Sequence, residues 1–470
     1  MLCGVTRDLD EARYRARSLW LDLLPEPLTP RPSLPGDLDC DVAIVGAGFT
    51  GLWTAYYLKR HQPDLRVVVL EAEVAGFGPS GRNGGWVSGG IAGIAGVYER
   101  RAGRDAVRRA VAESYRAVDE IGTVVQREEI DCGYEKAGML SVATSAPQRQ
   151  RLEAMVDAAR RAGMPAGDLR LLEDAEADEL ARVKGRLAAS YSPHAARVDP
   201  ARLARGLARA CERLGVTIFE RTRVRQISPR LLRCDAGSVR AEAVLRATES
   251  YSTLLPGESR TYLPLYSLMI ATEPLPDEAW AQIGWRDGLL VGDRHHLFFY
   301  AQRTVDGRIA IGGRGAPYRL GQPIDERNER NAGVAARLEA AVRAHFPAAS
   351  GARVTHHWGG PLAVPRDWSM SVAFDRAGGF GFAGGYVGHG VAATNISGRT
   401  LADLVLGRDT DLVTLPWVGH RSRSWEPEPL RYLASSAIVR TLARADRNED
   451  RTGRRALRTV LVKPFMPSPH

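Results

Sequence analysis

Cysteines and long apolar runs are scarce in this chain of 470 residues. Its five cysteines are odd in number and scattered, and none forms a C-x-x-C pair, which argues against a disulfide framework and a structural zinc site. No stretch reaches the roughly 20 uninterrupted apolar residues of a membrane span, and residues 1–20 lack the apolar segment of a secretory signal. We therefore expect a cytoplasmic protein without a membrane partner. The cysteines are Cys3, Cys40, Cys132, Cys211 and Cys234.

Lysine is rarer still, since only four of the 64 basic residues are lysines and the rest are arginines. The formal net charge is +9, but the densest arginine runs, 100–109 and 451–458, are mixed with acids or fall on predicted helix faces. A nucleic-acid surface would cluster its cations on one stretch with interleaved aromatic residues. We therefore predict a solvated basic surface and no nucleic-acid partner.

The segment GAGFTGL, Gly46–Leu52, carries the clearest functional signal. It follows Asp41–Val45, an apolar run typical of a buried parallel strand, and precedes a helix predicted over Thr50–Lys59. Glycines spaced G-x-G-x-x-G allow a tight turn, close approach of a pyrophosphate and close helix packing, and the helix N-terminus faces the anion. A second predicted strand, Leu65–Leu70, ends at Glu71, where an acid meets a ribose hydroxyl. The segment predicts a site for an ADP-containing dinucleotide.

A second strand, glycine loop and helix start lie late in the chain, within Gly378–Leu404. Phe380–Ala383 alternates like a strand, Gly384–Gly390 is glycine-rich, and Val391–Leu404 has helical spacing. The G-x-G-x-x-G spacing found here overlaps the strand instead of following it, so it does not predict a second dinucleotide fold. A helix N-terminus suits a delocalised anion such as the pyrimidine edge of a reduced flavin. The region therefore favours FAD over NAD.

A third glycine-rich stretch, Gly76–Val87, reads GFGPSGRNGGWV and begins shortly after Glu71. Five glycines in twelve residues let the backbone pack flat against another group. Such a stretch is also compatible with a surface loop. Its position after the ribose-binding acid favours contact with the cofactor instead.

The rest of the chain is long enough for a second domain, and its composition of 44% apolar and 25% charged residues is that of a globular protein. Helix Val198–Leu214 is well signalled, because Asp199 can cap it, Pro200 opens it and Gly215 stops it. Other predicted elements are the helices Leu9–Leu24 and Ala146–Ala162, one or two helices over Val97–Glu129, the connector Pro25–Pro35, and the strands Leu140–Thr144, Thr217–Glu220, Val224–Ile227, Leu231–Cys234, Val239–Leu245, Tyr262–Ala271, Leu297–Arg303 and Arg308–Gly313.

These regions together resemble the FAD-dependent amine and amino-acid oxidases of the D-amino-acid oxidase family, and most of all its gamma-glutamylputrescine oxidase subgroup. The most specific strings are SGRNGG and GGYVGHGVA. The resemblance implies an α/β fold with a discontinuous Rossmann-like FAD-binding domain and a substrate domain whose large, mostly antiparallel sheet lies over the flavin. The implied ranges are 1–37 for an N-terminal helix and connector, 38–134, 197–260 and 360–415 for the FAD-binding domain, 135–196 and 261–359 for the substrate domain, and 416–470 for a C-terminal helical extension.

The resemblance also implies which residues hold FAD. They are Gly46, Ala47, Gly48, Phe49, Thr50 and Gly51 at the pyrophosphate, Glu71 and Ala72 at the adenosine ribose, Ser80, Gly81, Arg82, Asn83, Gly84 and Gly85 along the isoalloxazine, Val224, Ala247 and Thr248 at the ADP end, Gly385, Tyr386, Gly388, His389, Gly390 and Val391 at the pyrimidine edge, and Gly360 as a further contact.

The implied reaction oxidises a carbon–nitrogen bond by hydride transfer from carbon to flavin N5, and the imine then hydrolyses. Oxygen, the implied acceptor, leaves as hydrogen peroxide. Several relatives promote oxygen reduction with a lysine near the flavin, but no lysine lies between Lys184 and Lys463. If a cation activates oxygen here, the candidates are His389, Arg82, His357 and Arg314; an acceptor other than oxygen stays open as the alternative.

The candidate catalytic residues are His389, Arg82, Tyr266, Tyr300 and Trp358. The three aromatic members would wall an amine pocket, because aromatic rings attract cations and shield the flavin; strand aromatics are also common in cores. Arg303 is a candidate anchor for a substrate carboxylate. The pairs His295–His296 and His356–His357 stand in strand-like contexts, so their members point to opposite faces and cannot chelate one metal. We therefore predict no metal site.

Three functions remain open from the sequence. The first is FAD-dependent oxidation of a small amine or amino acid. The second keeps the fold but changes the acceptor or substrate, giving a flavin dehydrogenase or a specialised biosynthetic oxidase. The third, an RNA-binding or tRNA-modifying flavoprotein, would need a clustered cationic stretch that the sequence lacks. An NAD(P)-dependent reductase is disfavoured because no second glycine motif is well placed.

Overall fold

The computed structural model describes residues 10–316, 318–321, 324–457 and 459. The strands form two large sheets and one two-stranded ribbon. No helix in these ranges is long and apolar enough to cross a membrane. The strands are β1 Leu38–Val45, β2 Val67–Leu70, β3 Trp86–Ser88, β4 Met139–Ala143, β5 Arg170–Leu172, β6 Ala188–Ser192, β7 Ala195–Arg197, β8 Thr217–Phe219, β9 Val224–Ser228, β10 Leu231–Cys234, β11 Ser238–Arg246, β12 Leu263–Thr272, β13 Leu290–Asp293, β14 Phe299–Arg303, β15 Ile309–Gly313, β16 Val354–Val364, β17 Ser371–Asp375 and β18 Phe380–Gly384.

Helices connect the strands and cover the sheets. The expected cap of one helix is present, because the Asp199 carboxylate accepts hydrogen bonds from the backbone N–H groups of Ala201 and Arg202, both at 3.0 Å. The helices are α1 Leu19–Asp22, α2 Phe49–His61, α3 Ala95–Arg127, α4 Ala146–Arg161, α5 Asp174–Leu180, α6 Pro200–Arg213, α7 Asp277–Ile283, α8 Ala332–His345, α9 Gly390–Leu406 and α10 Leu430–Thr452.

The first sheet is parallel at its centre, in the order β18-β11-β1-β2-β8, with β17 antiparallel at one edge. Strand β10 pairs with β11, and β9 pairs with β10. Every residue of β2 is buried. Successive residues of β1 and β2 enter two different cores: Ile44 and Val69 pack with α2 and α9, whereas Val45 and Val68 pack with β11. Burial on both faces explains why these strands are continuous apolar runs in the sequence.

Helices α2 and α9 pack closely against each other on this sheet. A Cβ at Gly398 would lie 2.5 Å from the Cβ of Trp53, so glycine is what permits the approach. The Asn395 side-chain amide donates to the Tyr57 hydroxyl at 3.0 Å, and the hydroxyls of Thr50 and Tyr386 lie 2.9 Å apart. The packing brings the N-termini of both helices to one end of the sheet.

The second sheet has the order β16-β12-β15-β14-β13-β4-β6-β5, and only its β13–β4 pair is parallel. Phe299 and Ala301 belong to a core that includes Leu338 of α8 and Trp280 of α7. Tyr300, the residue between them in β14, points to the opposite face, as strand alternation requires. That face looks toward the first sheet.

The predicted α/β class with a mostly antiparallel second sheet is confirmed. Two elements predicted from the sequence differ from those in the structure. The helix expected over Leu9–Leu24 is interrupted within its described part, where residues 10–15 and 19–22 are helical and 16–18 are not. His295–His296 lie in a turn between β13 and β14 rather than in a strand, so the argument from strand faces is wrong for this pair. β16 runs through the expected domain limit at residue 359, and the domain limits stay a prediction.

Candidate active site

A cavity of about 1420 Å³ is lined by residues of both sheets. This volume exceeds the roughly 300–1,000 Å³ of a pocket for one small ligand. Its lining includes residues of the turn at Gly46–Thr50, Tyr300 and His389, and residues of α4 and α10. The cavity therefore has room for a dinucleotide and for a second molecule beyond it.

The glycine turn after β1 is too tight for side chains. Gly46 has a φ of +105°, and a Cβ there would lie 2.8 Å from the carbonyl oxygen of Ala247. A Cβ at Gly51 would lie 2.0 Å from the carbonyl oxygen of Gly46. Helix α2 starts at Phe49 with no acidic residue in its first turn, and Gly48, Phe49 and Thr50 line the cavity. Its N-terminus thus offers the cavity a site for an anion.

Glu71, which directly follows β2, also lines this end. Its carboxylate accepts hydrogen bonds from the backbone N–H groups of Ala47 at 2.8 Å and Glu73 at 3.0 Å. Burial raises the pKa of Glu71 to about 7. The side chain therefore braces the glycine turn from the position expected of the ribose ligand, and Val224 and Thr248 line the cavity beside it.

The loop after Glu71 is braced by its own polar side chains. The Ser80 hydroxyl accepts a hydrogen bond from the N–H of Phe49 at 2.9 Å, which joins the loop to the start of α2. The Asn83 amide donates to the carbonyls of Pro79 and Ser80 and accepts from the N–H of Gly85 at 2.8 Å. A Cβ at Gly84 would lie 2.5 Å from the Tyr300 ring. The glycines thus let the loop pack directly beneath the second sheet.

Arg82 is fully buried in this loop and is neutralised there. Its guanidinium forms an ion pair with Glu329 at 2.7 Å and donates to the Tyr251 hydroxyl at 2.8 Å. It also lies over the Phe77 ring, 5.3 Å from the centroid. Glu329 accepts a second cation, Arg17, at 3.0 Å. Arg82 is therefore held rigidly, with its charge already matched by a carboxylate.

The loop before α9 is organised by Glu249, a residue that sequence reasoning missed. Its carboxylate accepts hydrogen bonds from the N–H groups of Ala363 at 2.8 Å and of Gly385 and Tyr386 at 3.2 Å each. Burial raises the pKa of Glu249 to about 7. The sequence signal for Glu249 was only that an acidic residue follows the predicted strand Val239–Leu245. His389 forms the N-cap position of α9 and lines the cavity.

Tyr300 and Arg314 stand between the two loops, on the second sheet. The Tyr300 hydroxyl lies 2.7 Å from that of Ser267. Arg314 donates to the carbonyl of Val387 at 3.0 Å and lies over the Phe298 ring at 4.9 Å. Burial lowers the pKa of Arg314, and no carboxylate of the described residues is close enough to form an ion pair with it. It is a partly buried cation beside the N-terminus of α9.

Most residues that the resemblance implies are brought together around this one cavity. Seven of the expected cofactor and catalytic residues do not line the cavity: five residues of the turn and the loops, and two aromatic residues. Those lining it are Gly46, Gly48, Phe49, Thr50, Glu71, Ala72, Ser80, Arg82, Asn83, Gly84, Val224, Ala247, Thr248, Tyr300, Gly360, Tyr386, Gly388, His389, Gly390 and Val391; those behind it are Ala47, Gly51, Gly81, Gly85, Gly385, Tyr266 and Trp358.

The expected roles of Tyr266 and Trp358 as pocket walls do not match their positions. The Tyr266 hydroxyl accepts from the N–H of Asp325 at 3.1 Å, and the Trp358 indole donates to the carbonyl of Arg82 at 2.9 Å. Both rings are almost fully buried and act as packing. The Arg303 guanidinium lies over the Trp280 ring, 4.4 Å from its centroid. Neither Arg303 nor His357 lines the cavity. These two strand aromatics have the commoner structural role, whereas Tyr300 of β14 lines the cavity.

The sequence of residues 41–404 matches the family model described as "FAD dependent oxidoreductase", DAO. Gamma-glutamylputrescine oxidoreductase of Escherichia coli is 30% identical over 385 residues, covering 80% of this chain and 86% of that protein. A probable oxidoreductase of Haemophilus influenzae, OrdL, is 28% identical over 384 residues, covering 79% and 84%. Among solved structures, glycine oxidase from Geobacillus kaustophilus superposes with a TM-score of 0.68 at 20% identity, covering 82% of this chain and all of that one.

Proposed function

Because the chain belongs to the DAO family of FAD-dependent oxidoreductases, we propose that it oxidises a carbon–nitrogen bond of a small amine or amino acid and passes the electrons to oxygen. The substrate would lose a hydride and a proton and become an imine, which water hydrolyses. Oxygen would leave as hydrogen peroxide. Bound FAD supplies the two-electron acceptor for the substrate.

The residues present fit FAD. A side chain at Gly46 or Gly51 would collide with backbone, so the glycines keep the turn compact. Helix α2 begins at this turn and has no acidic residue in its first turn. Glu71, directly after β2, would meet a ribose hydroxyl, and the N-terminus of α9 also lines the cavity. Two helix N-termini at one cavity suit a ligand with a pyrophosphate and a second, delocalised anionic group.

The single observation that carries the proposal is the continuity of the cavity. It runs from Gly46 to the Tyr300 face of the second sheet without a dividing wall. A dinucleotide anchored at the glycine turn would therefore present its far end beneath Tyr300 and beside Arg314. A substrate would bind between that end and the second sheet.

The chain's own residues would orient the substrate rather than abstract a proton. The carboxylates of Glu71 and Glu249 both accept backbone hydrogen bonds, so neither is a free base. A neutral amine needs only a modest shift of its pKa to react. Tyr300 and Arg314 would position the substrate, and the closely packed loop at Gly84 would exclude water from one side.

Arg314 favours an amino acid over a simple amine within this proposal. Arg314 is partly buried and forms no ion pair with a carboxylate of the described residues, so a substrate carboxylate would neutralise it through a charge-assisted hydrogen bond. We expect Arg314→Gln to raise KM for amino acids at least tenfold and to change KM for alkylamines little. Arg303→Gln, which alters an arginine outside the cavity, serves as the control.

The visible spectrum of purified protein, followed by anaerobic titration with amines and amino acids, tests the function. We expect a flavin spectrum that bleaches with a substrate and recovers in air with one hydrogen peroxide per turnover. Protein that cannot be reconstituted with FAD, or a flavin that no amine or amino acid bleaches, would refute the proposal.

A second candidate keeps the reaction and changes the acceptor. It rests on the absence of lysine from the second sheet and on the fact that Arg82 is already paired with Glu329. Bleaching without peroxide formation in air, together with rapid reoxidation by a quinone or a dye, would identify a dehydrogenase.

A further inference from the structure

The cavity lining includes a group of apolar side chains that the FAD assignment does not use. They come from α3, from α4 and from the loop after α4, and we call them the apolar subsite. All of them are at least partly exposed to solvent. Apolar surface of this kind gains free energy when a ligand covers it. The members are Val111, Tyr115, Met155, Ala158, Met164 and Leu169.

Tyr115 places the apolar subsite beside the N-terminus of α9. A Cβ at Gly89 would lie 2.7 Å from the Tyr115 ring, and a Cβ at the next residue, Gly90, would lie 3.5 Å from Nδ1 of His389. Both glycines line the cavity. Tyr115 and His389 therefore flank one pair of glycines, and the subsite adjoins the proposed reaction site.

The Tyr115 ring is held in place by a stacked histidine. His194, in the turn between β6 and β7, lies parallel to it with 3.7 Å between the ring centroids. Nε2 of His194 lies 2.8 Å from a carboxylate oxygen of Asp168, and its carbonyl accepts from the N–H of Gly89 at 2.7 Å. Leu169 of the subsite follows Asp168 directly. The Asp168–His194 pair therefore fixes one wall of the subsite.

The second sheet adds a methionine to the same cavity. Met139 of β4 lines it, as does its partner in the register, Ser192 of β6. Paired residues of neighbouring strands share a face of a sheet. Met139, Met155 and Met164 are three of the seven methionines of the chain. Unbranched, polarisable methionine side chains adapt to apolar ligands of different shape.

Charges at this side of the cavity are already matched. Of the described lining residues on α4, only Arg151 is charged, and it forms an ion pair with Glu449 at 2.8 Å. Asp168 and His194 pair with each other, and neither lines the cavity. A charged group entering the apolar subsite would lose its hydration without gaining a counter-ion.

We propose that the apolar subsite binds an apolar group of the substrate while the reacting nitrogen lies near Tyr300. The inference rests on the proposed function, which places that nitrogen at the far end of FAD. Burial of each further methylene strengthens binding by up to about fourfold. The preferred substrates are then amines or amino acids that carry an apolar group of several carbons and no charge at its end.

Calorimetry on the dithionite-reduced holoenzyme tests the subsite without turnover. One series is butylamine, hexylamine and octylamine, and the other is 2-aminobutanoate, 2-aminohexanoate and 2-aminooctanoate, each as the racemate. We expect affinity to rise at least tenfold from four to eight carbons in at least one series. Affinity that does not depend on length in either series would overturn the inference.

Compounds of six carbons with a charged end test the second half of the proposal. The comparisons are 1,6-diaminohexane and 6-aminohexanoate with hexylamine, and lysine and 2-aminoadipate with 2-aminohexanoate. We expect each charged end to weaken binding at least tenfold in the series that shows the length dependence. Equal or tighter binding of a compound with a charged end would refute the apolar assignment.

Substitutions then locate the effect. Ala158→Phe should fill part of the subsite and remove the gain between six and eight carbons, and Met164→Gln should reduce that gain severalfold. Because Ala158 is exposed, the larger side chain does not overpack the core. Ala162→Phe is the matched control, since Ala162 is exposed and does not line the cavity; it should keep the gain. An unchanged gain in both Ala158→Phe and Met164→Gln would refute the location.

Flavin bleaching by the same ligands in the oxidised enzyme separates this inference from the proposed function. Binding that strengthens with length, without bleaching by any ligand, would support the subsite and refute the function. Bleaching by short and long ligands of equal affinity would support the function and refute the subsite.

Discussion

The backbone around Gly51 leaves no room for a side chain at this position. An alanine there would place its Cβ 2.0 Å from the Gly46 carbonyl oxygen, so the turn and the start of α2 would have to separate. We expect Gly51→Ala to lower the free energy of unfolding by about 1–3 kcal/mol, as overpacking does, and to lower the FAD content. Urea unfolding and the ratio of flavin to protein absorbance would measure both effects.

Gly351→Ala is the control for this prediction. No atom lies within 4 Å of the added Cβ, and its backbone does not need a positive φ. Stability and FAD content should both match the wild type. Normal FAD content in Gly51→Ala would show that the turn relaxes easily and would contradict its role as a tight cradle.

Glu249 gives the protein a pH-dependent stability. Its pKa is raised by burial to about 7 in the folded state, against about 4.5 when unfolded. The folded state therefore holds the proton more strongly, and stability declines as the pH rises from about 4.5 to about 7. The shift corresponds to about 3 kcal/mol, and Glu71 adds a decline in the same window.

We expect Glu249→Gln to remove about half of this decline in FAD-free protein, because a neutral amide does not titrate and still offers an acceptor to the loop. Urea unfolding at pH 5 and pH 7.5 would measure it. Glu242→Gln, at an exposed position, should keep the wild-type difference. Identical pH dependence in Glu249→Gln and the wild type would count against the raised pKa.

At the scale of elements, α10 is fastened to the second sheet by one acidic face. Asp446 accepts the N–H groups of His296 and Leu297, and Glu449 pairs with Arg151. Leu442 of the same helix lines the cavity. Helix α10 therefore contributes to the wall of the cavity.

Asp446→Asn should loosen this attachment, because an amide has one acceptor oxygen where two backbone N–H groups need partners. We expect faster limited proteolysis within α10 and a loss of roughly 1–3 kcal/mol of stability from the buried donor left without a partner. Arg447→Gln, on the exposed side of α10, is the control and should resemble the wild type. Equal proteolysis rates in all three proteins would contradict the attachment.

The elements that were predicted correctly are those that depend on residues close together in the sequence. Gly46–Gly51 and the capped helix after Asp199 depend on residues a few positions apart, and both are found where expected. Glu249, Asp446 and the turn at His295 depend on partners more than 100 residues away, which no local pattern reveals. The same reason explains why no local pattern revealed the partner of Trp358, whose indole bonds a backbone carbonyl 276 residues earlier.

At the scale of the whole molecule, the cofactor would join the two sheets. Residues of both line the cavity, so FAD would contact the first sheet and fill the space under the second. Any ligand that binds only the folded state stabilises it, by about 2.7 kcal/mol at a concentration 100 times Kd. We expect FAD removal to lower Tm by several degrees, and added FAD to restore Tm in a concentration-dependent manner.

Riboflavin, which lacks the pyrophosphate and adenosine, is the control ligand for that experiment. It should restore little of the lost Tm, because the glycine turn, α2 and Glu71 would have nothing to hold. Equal rescue by riboflavin and FAD would contradict the assignment of the Gly46–Gly51 end of the cavity.

The contact between Trp53 and Gly398 sets an order of events during synthesis. The two positions are 345 residues apart, so at about 5–20 residues per second the ribosome needs on the order of half a minute to deliver the second after the first. Until then α2 has no α9 to pack against, and the loop at Gly388 does not exist. We therefore expect the second helix N-terminus of the FAD site to form only after α9 has been synthesised.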